Sequence, residues 1–388
     1  MTYSGTRTII DADSHLIELD DFLASAATAD ERALIPTIDS QSNLPVAASA
    51  MGRARELFEK RKADPATMQK FEASLRDTSK NGWSRLGAFD PDERSHTLDL
   101  LGFRLQLVLP TFAFHQVGHL TDPDAAEVGA RVLNRAMAQF CAHDDRLEAI
   151  GYVPLRLGPQ RAVELIDRGL ADGCYSFMLD TNEPDDEARS FTHPDYDPVW
   201  ARFEAAAVPF VSHVAVNGEY RAISPSFRNN GSSLAGLGGD AGESLLDLVT
   251  IKNSVEIFFT AMVFDGVFDR HPGLRGISME HGAFWLPSWL QALDNTARTA
   301  RRLLGDRERP SETVRRHLKF SPFAGEPVGW IIDNVGPELL VFGSDYPHPE
   351  GTSDPIARFE AAMPDCDPET LDRFYRGNME ELLGITVG

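Results

Sequence analysis

The feature that most constrains the fold is an alternation of short apolar runs with longer helical patterns along the chain. Eight runs of β-type residues occur, and most of them lack the alternation of a half-exposed strand. Uninterrupted apolar runs are typical of parallel strands that are covered on both faces. The predicted strands are 7–13, 105–112, 147–155, 174–180, 208–214, 274–280, 318–323 and 338–345.

Helical patterns fill the intervals between these runs. They occupy 123–143, 158–171, 195–207, 242–269, 286–305 and 326–335. Eight strands that alternate with helices favour a (β/α)8 barrel, the TIM-barrel architecture, and an open doubly wound sheet is the competing arrangement. We expect one such α/β unit over residues 1–388.

Two segments do not fit a strand–helix unit. Residues 20–100 are long, charged and rich in helical patterns, and one helix there begins with Asp64 before Pro65. We predict a helical insertion after the first strand that serves as a lid or a dimer surface. Residues 215–241 are rich in Gly, Ser and Asn, which predicts a long loop after the fifth strand.

The charge balance narrows the classes of partner. The chain has 37 basic and 59 acidic residues, a net charge of −22, so binding to nucleic acid or to an anionic membrane is disfavoured. The three cysteines form no CxxC motif, which fits a reducing compartment. No apolar h-region or membrane-length apolar run is visible. We expect a soluble cytoplasmic protein that acts on a small molecule.

The ends of the predicted strands carry the chemistry. In a (β/α)8 barrel, functional groups lie at the carboxyl ends of the strands, and the first, fifth, sixth and eighth predicted strands bring His, Asp or Glu to that edge. On the first strand Asp11, Asp13 and His15 alternate, so their side chains share one face. Carboxylates beside an imidazole are ligands for zinc, iron or manganese. A turn cap is the structural alternative for these residues.

Three other strand ends add candidates. His213 ends the fifth strand and is predicted as a metal ligand. Glu280 and His281 follow the sixth strand, and either is a candidate for the metal ligand or for the proton-transfer group. Asp345 ends the apolar eighth strand, where an ion would pair its buried charge, and it is also a candidate general base.

Four residues are candidates for contact with substrate. Phe112 and His115 follow the second strand, Trp285 follows the sixth, and His348 lies in the turn after the eighth. For the aromatic residues, packing in the core is the alternative, and Trp285 is also a candidate for a dimer interface.

Five segments together resemble a known family. They are IIDADSHLIE at 9–18, PFVSHV at 209–214, LRGISMEHGAFWLP at 274–287, VFGSDYPHPEG at 341–351 and FYRGNMEELLGI at 374–385. In this order, and across nearly the whole chain, they resemble the amidohydrolase superfamily, and within it the aminocarboxymuconate-semialdehyde decarboxylase-like branch. Residues 25–95 are not part of the signature.

The resemblance implies a distorted (β/α)8 barrel that binds one or two divalent metal ions. The family's first-strand motif, usually His-x-His or Glu-x-His, reads Asp13-Ser14-His15 here. The family's functional residues on the fifth, sixth and eighth strands correspond to His213, His281 and Asp345. Asp11 and Glu280 add carboxylates, and an oxygen-rich set of ligands shifts the expectation from zinc toward iron or manganese.

The same resemblance leaves two reactions open. We expect hydrolysis of an ester, thioester, amide or activated C–C bond, with Asp345 deprotonating a metal-bound water and His281 stabilising or protonating the oxyanion. The alternative is non-oxidative decarboxylation of an aromatic or enolisable acid. A third hypothesis is a catalytically inactive barrel that acts as a binding protein. We also expect a homodimer.

Overall fold

A computed structural model of the chain describes residues 2–36, 45–77, 82–181, 187–214, 245–305, 307–348 and 351–387. Within these ranges, seven strands form one parallel sheet in which each strand pairs with the next along the chain. They are β1 (Ile10–Leu16), β2 (Leu105–Pro110), β3 (Leu147–Val153), β4 (Ser176–Leu179), β5 (Phe210–His213), β6 (Gly276–Met279) and β7 (Leu318–Phe320). The predicted loop at 215–241 lies outside the described residues.

The eighth predicted strand, 338–345, is not a regular strand, which corrects the sequence prediction. One isolated parallel bridge joins this segment to β7, and another joins the residue just after it to β1. Regular pairing fails because the backbone N–H groups of Ser344 and Asp345 both donate to the carbonyl oxygen of Asp13. Because this segment contacts β7 on one side and β1 on the other, the sheet still closes into a barrel-type α/β fold. The open doubly wound alternative is therefore excluded.

Helices occupy the connections between the strands. Asp122 caps the second helix after β2, and Pro123 begins it. The prediction of one continuous helix at 242–269 was wrong, because the described part of this range forms three separate helices. None of the helices in the described ranges has both the length and the apolar character needed to cross a bilayer. The helices are α1 (Phe22–Ala26), α2 (Pro45–Ala63), α3 (Pro65–Ala73), α4 (Pro91–Leu101), α5 (Ala113–Gly118), α6 (Pro123–Cys141), α7 (Pro159–Asp172), α8 (Asp197–Ala206), α9 (Leu245–Thr250), α10 (Asn253–Phe264), α11 (Val267–Arg270), α12 (Leu286–Thr299), α13 (Arg301–Leu304), α14 (Pro310–His317), α15 (Val328–Val335), α16 (Pro355–Ala362), α17 (Pro368–Asp372) and α18 (Asn378–Leu383).

The segment between β1 and β2 holds α1–α4 and is tied to the barrel by buried arginines. Arg61 of α2 makes two 2.6 Å hydrogen bonds to the carboxylate of Glu93 on α4. The fully buried Arg94 donates to Ser14 Oγ at 3.2 Å and to the carbonyl oxygen of His15 at 2.9 Å. These bonds fix the second half of β1 in place. A role of the segment as a lid or dimer surface stays a prediction.

Aromatic side chains form much of the core beside β5–β7. The ring of Phe210 lies 5.5 Å from that of Trp200 and 6.3 Å from that of Phe259. Phe320 lies 6.0 Å from Phe259 and 5.8 Å from Trp285. Trp285 therefore packs in the core, one of the three places that its sequence position left open. Edge-to-face ring pairs at these distances add to the stability that comes from burial alone.

A buried acid at the end of β4 predicts a dependence of stability on pH. Tyr152 donates to Asp180 Oδ1 at 2.7 Å, and burial raises the pKa of Asp180 from 3.8 to about 6. Between these two values the unfolded chain releases the proton while the folded chain keeps it, so the free energy of unfolding falls as pH rises. A shift of about two units corresponds to ~3 kcal/mol.

We expect urea unfolding to show this loss as a changing difference between the wild type and the Asp180→Asn variant. Relative to that variant, the wild type should lose ~3 kcal/mol between about pH 4 and pH 7. A difference that stays constant over this range would mean that Asp180 ionises at its ordinary pKa in the folded protein.

Candidate metal centre

Six ionisable side chains converge at the carboxyl ends of the strands. They form two overlapping groups, and in each group the candidate ligand atoms lie within 4.8 Å of one another. The first group is Asp13, His15, His213 and Glu280, and the second is His15, Glu280, Asp345 and His348. The structure thus brings together five of the residues that the sequence predicted at a metal site, and it adds one residue that was predicted to contact substrate.

β1 supplies Asp13 and His15, and a break in its register separates them from Asp11. The pairing of β1 with β2 shifts between Asp11 and Ser14. Asp11 is hydrogen-bonded elsewhere, since it accepts the N–H of Ser344 at 2.8 Å and the side-chain amide of Gln106 at 2.8 Å. Burial raises the pKa of Asp11 to about 6. Asp11 belongs to neither of the two candidate groups, so its carboxylate supports the chain beneath the cluster.

β5 and β6 supply His213 and Glu280. His213 Nδ1 lies 2.9 Å from the carbonyl oxygen of Val214, which leaves Nε2 directed at Asp13 Oδ1 and at Glu280 Oε2, each 3.8 Å away. A backbone partner on the other ring nitrogen is typical of metal-binding histidines, because it fixes the tautomer. Glu280 has a φ of +56°, a strained value for a residue with a long side chain.

Asp345 and His348 come from the irregular eighth segment and the turn after it. Asp345 also has a positive φ, +55°, and its Oδ1 lies 2.9 Å from His348 Nδ1. The other ring nitrogen of His348 lies 2.9 Å from Thr111 Oγ1, and Arg85 donates to the His348 carbonyl oxygen at 3.2 Å. Strained backbone at both carboxylates is a feature of functional sites rather than of ordinary strand ends.

The spacing of the cluster fits a bound cation. His15 Nε2 lies 3.3 Å from Asp13 Oδ1 and 3.6 Å from Glu280 Oε1. Ligand atoms that are each about 2.1 Å from one ion are separated by roughly 3.0–3.4 Å in tetrahedral or octahedral geometry. These three atoms are buried and have no hydrogen-bond partner among the described residues. A divalent ion would satisfy all three at once.

The pKa shifts of the clustered side chains also favour a bound cation. Burial raises the pKa of Glu280 well above its ordinary value, and the neighbouring Asp345 raises it further. Burial opposes charge on His15, yet the carboxylates of Asp13 and Glu280 hold the pKa of His15 well above its ordinary value. The cluster therefore attracts positive charge, which protons supply when no ion is bound. Binding of a divalent ion is expected to displace those protons.

His281 lies beside the cluster without joining either group. Its Nδ1 is 3.0 Å from Ser278 Oγ, and the side chain is buried. Burial, and then the nearby His213, lower the pKa of His281 to about 3, so the imidazole is neutral near pH 7. Of the two residues that the sequence could not separate, Glu280 is the one whose oxygens face the other candidate ligands.

A cavity of about 420 Å³ opens above the carboxylates. Asp13, Glu280 and Asp345 contribute to its lining, and Pro322 and Phe323 belong to its apolar part. Its size is within the range of small-molecule sites. A larger cleft of about 620 Å³ lies beside α12 and α14, but none of the six clustered residues lines it. The smaller cavity is therefore the candidate substrate site.

None of the four predicted substrate-binding residues lines this cavity in the described part of the chain, and His348 lies in the ligand cluster instead. The ring of Phe112 stacks on that of Trp83 at 5.2 Å, and His115 stacks on His119 at 4.4 Å. Burial, followed by His119, lowers the pKa of His115 to about 4. Trp285 lies in the core, as described above. The assignment of these residues to substrate binding stays a prediction.

Sequence reasoning missed two kinds of residue at this site. The first is the turn after β7, where Ser321 and Phe323 line the cavity. It was passed over because only ionisable strand ends were considered. The second is Arg358 of α16, which also lines the cavity. No local signal distinguishes Arg358 from other surface arginines.

The chain matches one family model and is similar to several solved structures. A family model described as Amidohydrolase matches residues 10–385 of this chain. A solved amidohydrolase from Mycobacterium avium subsp. paratuberculosis K-10 superposes with a TM-score of 0.71 at 22% sequence identity, covering 99% of each chain.

Two solved decarboxylases are also similar in structure. A 2,6-dihydroxybenzoate decarboxylase from Rhizobium gives a TM-score of 0.65 at 18% identity, over 98% of this chain and 99% of its own. A dihydroxybenzoic acid decarboxylase from Polaromonas sp. JS666, with bound manganese and the inhibitor 2-nitroresorcinol, gives 0.63 at 16% identity, over 98% of this chain and 97% of its own. At these identities the likeness concerns the fold alone.

Proposed function

This chain belongs to the amidohydrolase family, and from that premise we propose that it is a metal-dependent, non-oxidative decarboxylase of aromatic carboxylic acids. The observation that carries the proposal is the convergence of candidate metal ligands at a small cavity with a partly apolar lining. The names of two similar structures give decarboxylation of dihydroxybenzoic acids as their reaction, which supports the same class here. This preference replaces the expectation of hydrolysis from sequence.

The metal would be held by Asp13, His15, His213 and Glu280. These four residues form one group of mutually close ligand atoms, and their donors are two carboxylates and two imidazoles. When bound, a divalent ion supplies a Lewis acid that polarises oxygen atoms of the substrate. We propose one ion per chain, with manganese as the first metal to test, because a similar structure has manganese bound.

Asp345 is proposed to carry the proton. It lines the cavity and lies 2.9 Å from His348 Nδ1, which orients it. In the reaction, the bond between the ring carbon and the carboxyl carbon breaks, and its electron pair stays on the ring. Carbon dioxide leaves, and a proton from Asp345 takes its place on the ring carbon. The neutral His281 is proposed to position neighbouring groups.

Hydrolysis remains the second candidate because the solved protein with a TM-score of 0.71 is named an amidohydrolase. In that reaction Asp345 would take a proton from water, and the same residues would hold the ion. We also propose that the protein is a cytoplasmic homodimer that acts on a small molecule. This proposal is the same for both reactions.

Product analysis separates the two reactions. With the manganese-loaded protein and a panel of hydroxybenzoic acids, we expect carbon dioxide in equal amount to the substrate consumed. In deuterated water, one deuterium should appear at the carbon that lost the carboxylate. A parallel panel holds the esters and amides of the same acids; incorporation of one solvent oxygen into the acid released from them, with no carbon dioxide from any free acid, would establish hydrolysis instead. Heat-inactivated and chelator-treated protein serve as the controls.

A further inference from the structure

We infer that Arg358 forms an anion-binding subsite of the cavity above the metal centre, so that the substrate is an aromatic acid with a second anionic group. This inference rests on the proposed function and names its substrate class. Arg358 lies on α16 and lines the same cavity as the carboxylates of Asp13, Glu280 and Asp345.

The acids nearest to Arg358 along α16 are already engaged by other residues. Asp354, four residues before it, accepts the hydroxyl of Tyr3 at 2.8 Å and pairs with Arg76 at 2.8 Å. Glu360, two residues after it, pairs with Arg7. The Arg358 guanidinium itself makes no hydrogen bond or ion pair with the described residues.

The position of Arg358 at the cavity distinguishes it from other arginines without an acidic partner among the described residues, such as Arg53 and Arg168, which line none of the cavities described here. The chain has a net charge of −22, so acidic partners are abundant. Many of its surface arginines have them, as Arg146 does with Asp144 and Arg376 does with Asp372. A cation that lines a cavity and has no partner among the described residues is available to a ligand. The planar guanidinium fork matches a carboxylate through two parallel hydrogen bonds.

The lining of the cavity defines what such a ligand contains. The metal-site carboxylates would take one anionic group through the bound ion, and Arg358 would take another. Apolar side chains, among them Val214, Ile251, Phe323 and Pro355, also line the cavity. A flat apolar body with two separated anionic groups matches this distribution of charge. An aromatic dicarboxylate is the simplest molecule with these properties.

The test measures binding rather than turnover. Titration calorimetry on the manganese-loaded full chain compares benzene-1,3-dicarboxylate with its monoamide, in which one carboxylate is neutral. We expect the dicarboxylate to bind about tenfold to a hundredfold more tightly, since a hydrogen-bonded charged pair is of that size. The Arg358→Gln variant should reduce this preference to less than about threefold.

A matched control separates the subsite from net charge. Arg168 is exposed on α7 and lines none of the cavities described here. The Arg168→Gln variant removes the same charge and should keep the full preference for the dicarboxylate. Because Arg358 is exposed, its substitution should leave thermal stability nearly unchanged.

The outcomes distinguish this inference from the proposed function. An equal loss of affinity for both ligands in Arg358→Gln, or an unchanged preference, would overturn the subsite even if the wild type releases carbon dioxide. A preference that disappears only in Arg358→Gln supports the subsite, and it does so even if no acid of the panel is decarboxylated.

Discussion

The Asp13→Asn variant is expected to lose at least a hundredfold in affinity for manganese and about a thousandfold or more in turnover. Asp13 Oδ1 is buried, lies 3.3 Å from His15 Nε2, and has no hydrogen-bond partner among the described residues. Asparagine keeps the shape of the side chain but removes the negative charge. Loss of several kcal/mol of electrostatic stabilisation corresponds to rate losses of this size.

Asp11→Asn is the matched control for this prediction. Asp11 is also buried, two residues earlier on the same strand, and its carboxylate accepts hydrogen bonds from Ser344 and Gln106. We expect this variant to keep its manganese affinity within about threefold, even if it lowers stability. Elemental analysis and calorimetric titration with manganese measure both variants. Full manganese occupancy in Asp13→Asn would remove Asp13 from the metal centre.

The second large effect is expected at Asp345. The Asp345→Asn variant should bind manganese within about tenfold of the wild type, while release of carbon dioxide falls by roughly 10²–10⁴-fold, the usual size of a lost proton-transfer group. Asparagine is the suitable replacement because it tolerates the left-handed backbone that Asp345 adopts at φ +55°. The fold should therefore survive the substitution.

The two variants are expected to differ in manganese content although both lose activity. Asp13→Asn should lose the ion and, with it, the reaction, whereas Asp345→Asn should keep the ion and lose the reaction. The measurements are manganese content, carbon dioxide release, and deuterium incorporation into the product. If Asp345→Asn loses manganese as completely as Asp13→Asn does, Asp345 holds the ion, and another residue must deliver the proton.

Local pattern predicted the sheet well where strands are covered on both faces. The seven regular strands overlap seven of the predicted runs, because parallel strands buried on both sides read as continuous apolar segments. The first strand, predicted at 7–13, begins and ends three residues later, at Ile10–Leu16. The same kind of pattern wrongly predicted a regular strand at 338–345, a segment that is just as apolar. There, two backbone N–H groups share the carbonyl oxygen of Asp13, so regular pairing cannot form.

The sequence by itself determined the order of the strands and which strand ends carry Asp, Glu and His, since both follow from residue type and period. Only the tertiary structure decided which of these side chains face one another. A register shift separates Asp11 from Asp13, and a left-handed residue at Glu280 separates it from His281. Single backbone dihedrals set these directions, and the closure of the barrel brings Arg358 to the same cavity. Neither these backbone dihedrals nor the closure of the barrel can be predicted from a local pattern of residues.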